Sequence, residues 1–316
     1  MIKNYKLLSA TLLLSGSLTL NAQTWTPVGP GSYSSTTSAI VIDGSDIYAN
    51  NTFISGADVF SFGRFTAGTW NALGNWKGFP NGIGSVNCAL KVGDDIYVGG
   101  SFTDGSGNPD MDRIARWNIT TNTWHAMGQG LTNGFVNDIV QFGSDIIIVG
   151  KFTDAGGNPN ADYIAKWDGT SWSAVTSTLI STNSFTSVNT VAVKDNELYF
   201  GGNFENAGGN AAADFLTKWD GSSFQDVYGW GAQIGAVLDI TFNGNDLYVG
   251  GEFPIKIAKY NGITWDLMDS FSVASGASQI NVIEVVGTDV YIGGTFNDVG
   301  DYPFRYRNGE THGMID

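Results

Sequence analysis

Apolar residues come in short runs, each soon broken by glycine, aspartate or asparagine, and no long amphipathic helical stretch appears. One run, 136–142, reads Val-Asn-Asp-Ile-Val-Gln-Phe; Gly143-Ser144 follows, and then Asp145-Ile-Ile-Ile-Val. Such turns accept Asp and Gly because their central residues need positive φ or a side-chain hydrogen bond. The pattern predicts short strands joined by tight turns, an all-β chain.

The second run of that pair recurs six times: Asp46-Ile-Tyr-Ala-Asn-Asn-Thr-Phe53, Asp95-Ile-Tyr-Val-Gly-Gly-Ser-Phe102, Asp145-Ile-Ile-Ile-Val-Gly-Lys-Phe152, Glu197-Leu-Tyr-Phe-Gly-Gly-Asn-Phe204, Asp246-Leu-Tyr-Val-Gly-Gly-Glu-Phe253 and Asp289-Val-Tyr-Ile-Gly-Gly-Thr-Phe296. The closing phenylalanines are 49, 50, 52, 49 and 43 residues apart. A period of this size marks a propeller or an array. Each copy divides into four strands: an inner one, the quoted segment, a third such as Ile164-Ala165-Lys166-Trp167, and a fourth around Trp172. The expectation is a six-bladed β-propeller with four antiparallel strands per blade.

Each third-strand aromatic is followed by another: Phe65 by Trp70, Trp117 by Trp124, Trp167 by Trp172, Trp219 by Phe224 and Tyr260 by Trp265. After Tyr306 the matching position is Thr311, whereas Thr24-Trp25-Thr26-Pro27-Val28-Gly29 matches Thr69-Trp70-Asn71-Ala72-Leu73-Gly74 and has no copy of its own. The N-terminal strand is therefore expected to complete the last blade and close the ring, removing exposed edges.

Tyr97-Val98-Gly99-Gly100, with Trp117-Asn118-Ile119-Thr120-Thr121-Asn122-Thr123-Trp124, resembles a kelch repeat. The copies with Ala155-Gly156-Gly157-Asn158 and Ile164-Ala165-Lys166-Trp167-Asp168-Gly169 look more like a bacterial secreted variant, also seen in fungal cortical-marker proteins. The resemblance covers nearly the whole mature chain. It implies the propeller fold and specifies function hardly at all.

Residues 1–22 differ from the rest: Lys3 and Lys6 precede an apolar run over 7–20, and Ala22 offers a cleavage point. This is the layout of a secretory signal, leaving 23–316 as a single propeller domain, extracellular or periplasmic. The apolar run is too short for a membrane span. Cleavage leaves 13 bases against 30 acids, a net −17, which makes nucleic acid and anionic membranes poor partners. The lone Cys88 reads as a small apolar residue in a strand. The expected protein is a monomer with no cofactor.

Repeated polar positions supply candidate chemistry. A base precedes each third-strand aromatic: Arg64, Arg116, Lys166, Lys218, Lys259 and Arg305. A structural role fits a position that recurs in every blade. The short hairpin of the fifth copy would put Lys259 opposite about Val249, which argues against pairing with Asp246 and leaves the partner unassigned. Asn87, Asn137, Asn189 and Asn281 recur near the start of the inner strands; they would either ring the channel mouth and hold a small polar ligand or cap turn backbone. Asp104, Asp110 and Asp112, in a loop rich in Asp and Asn, are weak candidates for calcium, with turn chemistry the competing reading.

Catalytic machinery is not recognisable. His125 and His312 are the only histidines, and no Ser-His-Asp arrangement or phosphate loop stands out. A carboxylate pair for glycoside hydrolysis stays open among the 30 acids. Loop length points elsewhere. From the closing phenylalanine to the third-strand aromatic the chain spans 12, 15, 15, 15, 7 and 10 residues, and blade-to-blade connections vary too. In a propeller both classes share one face, and function usually resides on such loops. Tyr33, Trp76, Phe79, Phe135, Phe185, Trp230 and Phe271 should stand there. Trp76 and Trp230, amid small residues, would stack on a sugar or anchor a protein partner, unless they plug gaps between blades. The expectation is a secreted non-catalytic module binding a protein or glycan at this face, with a lectin-like protein and an extracellular glycoside hydrolase or lyase as alternatives.

Overall fold

The computed structural model describes residues 37–55, 58–74, 84–176, 187–230, 235–267, 279–295, 304–307 and 310–313. They form six four-stranded antiparallel sheets, each a meander in chain order. The first contains β1 (Ile40–Asp43), β2 (Asp46–Ser55), β3 (Asp58–Thr66) and β4 (Thr69–Ala72). The second holds β5 (Val86–Val92), β6 (Asp95–Gly100), β7 (Ile114–Asn118) and β8 (Thr123–His125). The third follows with β9 (Phe135–Phe142), β10 (Asp145–Lys151), β11 (Ile164–Trp167) and β12 (Trp172–Ala174). In the fourth are β13 (Ser187–Lys194), β14 (Glu197–Asn203), β15 (Leu216–Trp219) and β16 (Phe224–Asp226). The fifth comprises β17 (Val237–Asn243), β18 (Asp246–Gly251), β19 (Ile257–Tyr260) and β20 (Trp265–Leu267). The sixth has β21 (Gln279–Val286), β22 (Asp289–Thr295), β23 (Phe304–Arg307) and β24 (Glu310–Gly313). First strands pack on one another in chain order, β1 on β5, β5 on β9, β9 on β13, β13 on β17 and β17 on β21, as the hub of a propeller requires.

The repeated Gly-Gly is a packing device. The first strands of the second to sixth sheets bulge by one residue opposite this position, which is Val149-Gly150 in the third, with Asn87, Asn137, Asn189, Leu238 or Asn281 as the extra residue. The bulge drives a backbone carbonyl against the second glycine: a Cβ on Gly100 would lie 1.9 Å from the Ser85 oxygen, and one on Gly251 2.1 Å from that of Ala236. The first glycine admits the next sheet, since a Cβ on Gly99 would meet Val136 at 2.6 Å. In the first sheet Asn50-Asn51 replaces the pair, and Asn50 Oδ1 accepts from the N–H groups of Ser38 at 2.8 Å and Ala39 at 2.7 Å.

Paired aromatics close the outer strands, with ring centroids 5.4 Å apart for Phe65–Trp70 and 5.2 Å for both Trp117–Trp124 and Trp167–Trp172. Their indoles also join neighbouring sheets: Trp124 Nε1 donates to the Leu73 carbonyl at 3.0 Å, Trp172 to Met127 at 2.8 Å and Trp265 to Tyr228 at 3.0 Å. Cys88 is buried in β5, as an apolar strand residue should be.

One expectation is corrected. The fourth strand of the sixth sheet is the chain's own β24, in which Thr311 stands opposite Tyr306. Thr311 lacks the aromatic that marks the other fourth strands, but the ladder needs only backbone groups, and a hairpin this short closes at small entropic cost. The segment 24–29, expected to fill that place, lies outside the described residues, as does the signal segment 1–22.

Candidate functional site

The second-to-third-strand loops of three sheets share one backbone. Residues 104–112, 154–162 and 206–214 each open with a left-handed residue, Asp104, Asp154 or Asn206, and make a single 3-10 turn. An aspartate eight positions on turns back to cap that first residue: Asp112 Oδ1 accepts from the Asp104 N–H at 2.7 Å, Asp162 from Asp154 at 2.8 Å and Asp214 from Asn206 at 2.6 Å. Asn108, Asn158 and Asn210 each accept from an N–H two residues on, and Met111, Ala161 and Ala213 are buried as anchors. Between amide and anchor the tip is exposed, and there the copies differ: Pro109-Asp110, Pro159-Asn160 and Ala211-Ala212.

Loop length does not disturb the strand that follows, because both ends are clamped. The N–H of Arg113, Tyr163, Phe215 and Lys256 donates to the carbonyl of Phe102, Phe152, Phe204 and Phe253 respectively, whether a long loop or two residues intervene. Arg113 adds bonds to the carbonyls of Leu131 at 2.7 Å and Gly134 at 2.9 Å, and pairs with Asp112 Oδ2 at 3.2 Å. Both Asp112 oxygens are thus engaged by protein groups. Among the described residues no group of three or more His, Cys, Asp or Glu side chains is placed to hold a metal.

The recurrent amides tie one sheet to the next. Asn87 Nδ2 donates to the Val136 carbonyl at 3.0 Å, Asn137 to Val188 at 3.0 Å and Asn189 to Val237 at 2.9 Å, while Ser38 Oγ donates to Val86 at 3.1 Å. Asn281 accepts from Gln279 Nε2 at 2.6 Å. One residue deeper, Asp138 Oδ2 accepts from the Val191 N–H at 3.0 Å and Asp239 Oδ2 from that of Ile283 at 2.7 Å, with the Thr190 hydroxyl between the two acids. The hub is polar, and much of its hydrogen bonding crosses from sheet to sheet.

Five of the recurrent third-strand bases find the acid that opens their own sheet's second strand. Arg64 bonds Asp46, Arg116 lies 2.8 Å from Asp95, Lys166 3.4 Å from Asp145, and Lys218 2.9 Å from Glu197. Lys259 does the same, 2.8 Å from Asp246, which overturns the expectation that its hairpin forbids the pair. It stands opposite Tyr248, not Val249, because the clamp at Phe253 holds the register. Diagonal neighbours on one sheet face meet in this way. Arg64 and Lys259 also sit over the rings of Tyr48 and Tyr248, at 5.8 and 5.6 Å.

Two candidate aromatics lie elsewhere than expected. Trp230 is not on an exposed loop: it is 1% exposed, packed against Phe253 at 5.1 Å and Trp265 at 4.7 Å, with its Nε1 unpartnered. The left-handed turn at Tyr228 and Gly229 sends the chain inward there, so the indole fills the gap between sheets. Phe135 is the half-buried first residue of β9, opposite Lys151. Tyr33, Trp76, Phe79, Phe185 and Phe271 lie outside the described residues.

The turn before Trp230 carries an aromatic that sequence reasoning passed over. Tyr228 has φ 57°, where Gly74 and Gly128 stand in sister copies at 55° and 64°. Its ring stacks parallel on Tyr260, centroids 4.1 Å apart, in the place where a Cβ on Gly74 would collide with Trp117. Tyr199 donates to Glu197 Oε2 at 3.1 Å, so Tyr228 is the donor in the 3.2 Å contact between the two phenols. Burial, then the Tyr228 contact and the Glu197 carboxylate, push the Tyr199 phenol up. The signal was present in the repeat: tyrosine for glycine at 228 coincides with tyrosine for tryptophan at 260.

No protein-family model matches the chain, and neither does any curated protein. Solved structures do match. The computationally designed Ika8 protein aligns at TM-score 0.52 and 13% identity over 88% of this chain and 73% of its own. The extracellular domain of a hybrid two-component system from B. thetaiotaomicron aligns at 0.51 and 13% over 82% of this chain, and a GH74 xyloglucanase from Xanthomonas campestris at 0.51 and 14% over 84%. This chain spans only 31% and 42% of those two. At such identities the likeness shows the fold, an all-β propeller.

Proposed function

We propose that the protein is an exported, non-catalytic binding module whose contact surface is the face carrying the second-to-third-strand loops. The observation that carries this reading is the triplicated loop. Carboxylate and amide caps hold one backbone three times, while the exposed tips differ: Pro109-Asp110, Pro159-Asn160, Ala211-Ala212. A rigid frame presenting variable exposed tips, with Asp110 and Asn160 as their polar residues, suits recognition, because little order remains to be imposed on binding. Export follows from the signal-like segment 1–22; no described helix is long and apolar enough to cross a membrane.

A neutral glycan is the favoured ligand class, supported by Asp110 and Asn160 at two of the tips and by the net charge of −17 for residues 23–316, which disfavours polyanions. The test is depletion of residues 23–316 from solution by insoluble polysaccharides, with released reducing ends measured in parallel. Depletion without release supports a binding module. Release of reducing sugar makes the protein a glycoside hydrolase or lyase.

A further inference from the structure

Tyr228 breaks the rule of its own repeat. The position calls for positive φ, sister copies use Gly74 and Gly128, and a tyrosine there is strained. The residue is also 43% exposed, in the turn that leads from the fourth sheet to the fifth. Behind it the rings run inward without a break: Tyr228 on Tyr260, Tyr260 on Trp265 at 5.3 Å, and Trp265 on Trp230. Beside it stand the Tyr199 hydroxyl, the Glu197 carboxylate and the Lys218 ammonium, the last 5.9 Å from the Tyr228 ring centre.

We propose that the Tyr228–Tyr260 stack is a second binding site, a platform for the ring of a neutral saccharide. It rests on the glycan reading above but uses residues other than the loop tips. Aromatic faces take the C–H face of a pyranose, and the fixed phenol, carboxylate and ammonium match hydroxyl groups, which both donate and accept. Lys218 is neutralised by Glu197 at 2.9 Å, so the cluster offers no free positive charge to an anion. Because the two tyrosines are parallel and in face contact, at most one face of Tyr228 is left for a ligand ring, beside the Lys218 ammonium that stands over it. A polyproline segment would need a groove between separated rings.

The experiment titrates residues 23–316 with cello-, xylo- and manno-oligosaccharides and with a proline-rich peptide, following tyrosine and tryptophan fluorescence. Tyr228→Gly installs the residue of the sister copies, and Tyr228→Asn keeps left-handed tolerance without a ring. The expected result is saturable binding of at least one oligosaccharide, weakened tenfold or more in both variants, with melting unchanged or raised. Unaltered affinity in both variants, binding of the peptide alone, no oligosaccharide binding, or unfolding of both variants would overturn the proposal. Loss of binding in Asp110→Ala with none in Tyr228→Gly leaves the loop-face reading standing and removes this one.

Discussion

Trp172 of the third sheet donates its indole N–H to the carbonyl of Met127, which follows the last strand of the second, at 2.8 Å. Trp124 and Trp265 make the same link to the sheet before their own. The outer strand of a blade therefore buries its ring and also binds its neighbour. Trp172→Phe should keep the ring, leave the buried carbonyl unpaired and cost about 1–3 kcal/mol, read as a fall in urea midpoint at constant m-value. A change below about 0.5 kcal/mol would show that the link contributes only packing.

At the hub the amides play the corresponding part. Leu238 already stands where Asn87, Asn137 and Asn189 bond the next sheet. Asn189→Leu should lower stability by about 1 kcal/mol, by removing the donor to Val237, and should leave glycan retention unchanged. Loss of retention at full stability would instead return these amides to a ligand role.

Glycines divide by what a Cβ would meet. Gly100→Ala sets a methyl 1.9 Å from the Ser85 carbonyl, a backbone atom that cannot turn aside. The expected cost is about 3 kcal/mol or more, seen as lost soluble yield or a large fall in denaturation midpoint. Gly107, at φ +78° with nothing within 4 Å, should cost only about 1 kcal/mol as alanine.

The turn aspartates should resist protonation. Backbone N–H bonds from Ser223, then the Ser222 hydroxyl, lower Asp220 to about 2, and Asp168 is depressed in the same way by Ser171 and Thr170. A folded pKa below the unfolded value stabilises above the unfolded pKa and is lost as pH falls through the folded one. These turns should therefore stay intact at pH 4 and loosen towards pH 2, as carboxyl carbon shifts would show. Titration of Asp220 near 4 in the folded protein would contradict this.

The fold was legible because its period was. Asp-Gly turns, the Gly-Gly opposite a bulge and the paired aromatics each repeat, and repetition separates design from accident. What escaped depended on direction or register. Of the two readings open for Trp230, the plug between blades holds, because its inward course is set by a left-handed tyrosine two residues earlier, a conformation that residue type does not advertise. Lys259 was misplaced because residues were counted along the hairpin, whereas the bond from the Lys256 N–H to the Phe253 carbonyl fixes the pairing. The sixth sheet was misjudged on a missing aromatic, although hydrogen bonding alone forms β24. The Asp- and Asn-rich loops pointed to turn chemistry, but the cap of Asp112 on the Asp104 N–H needed the fold to bring residues eight apart together.

The central claim is that the loop tips recognise and the caps only hold. Its most direct test measures retention of residues 23–316 by a panel of insoluble polysaccharides, with calcium and with chelator, for the wild type and an Asp110→Ala/Asn160→Ala double variant. The account predicts selective retention, indifferent to chelator, and weakened in the double variant at unchanged melting temperature. Equal retention of both proteins, or release of sugar from the retained polysaccharide, would contradict it.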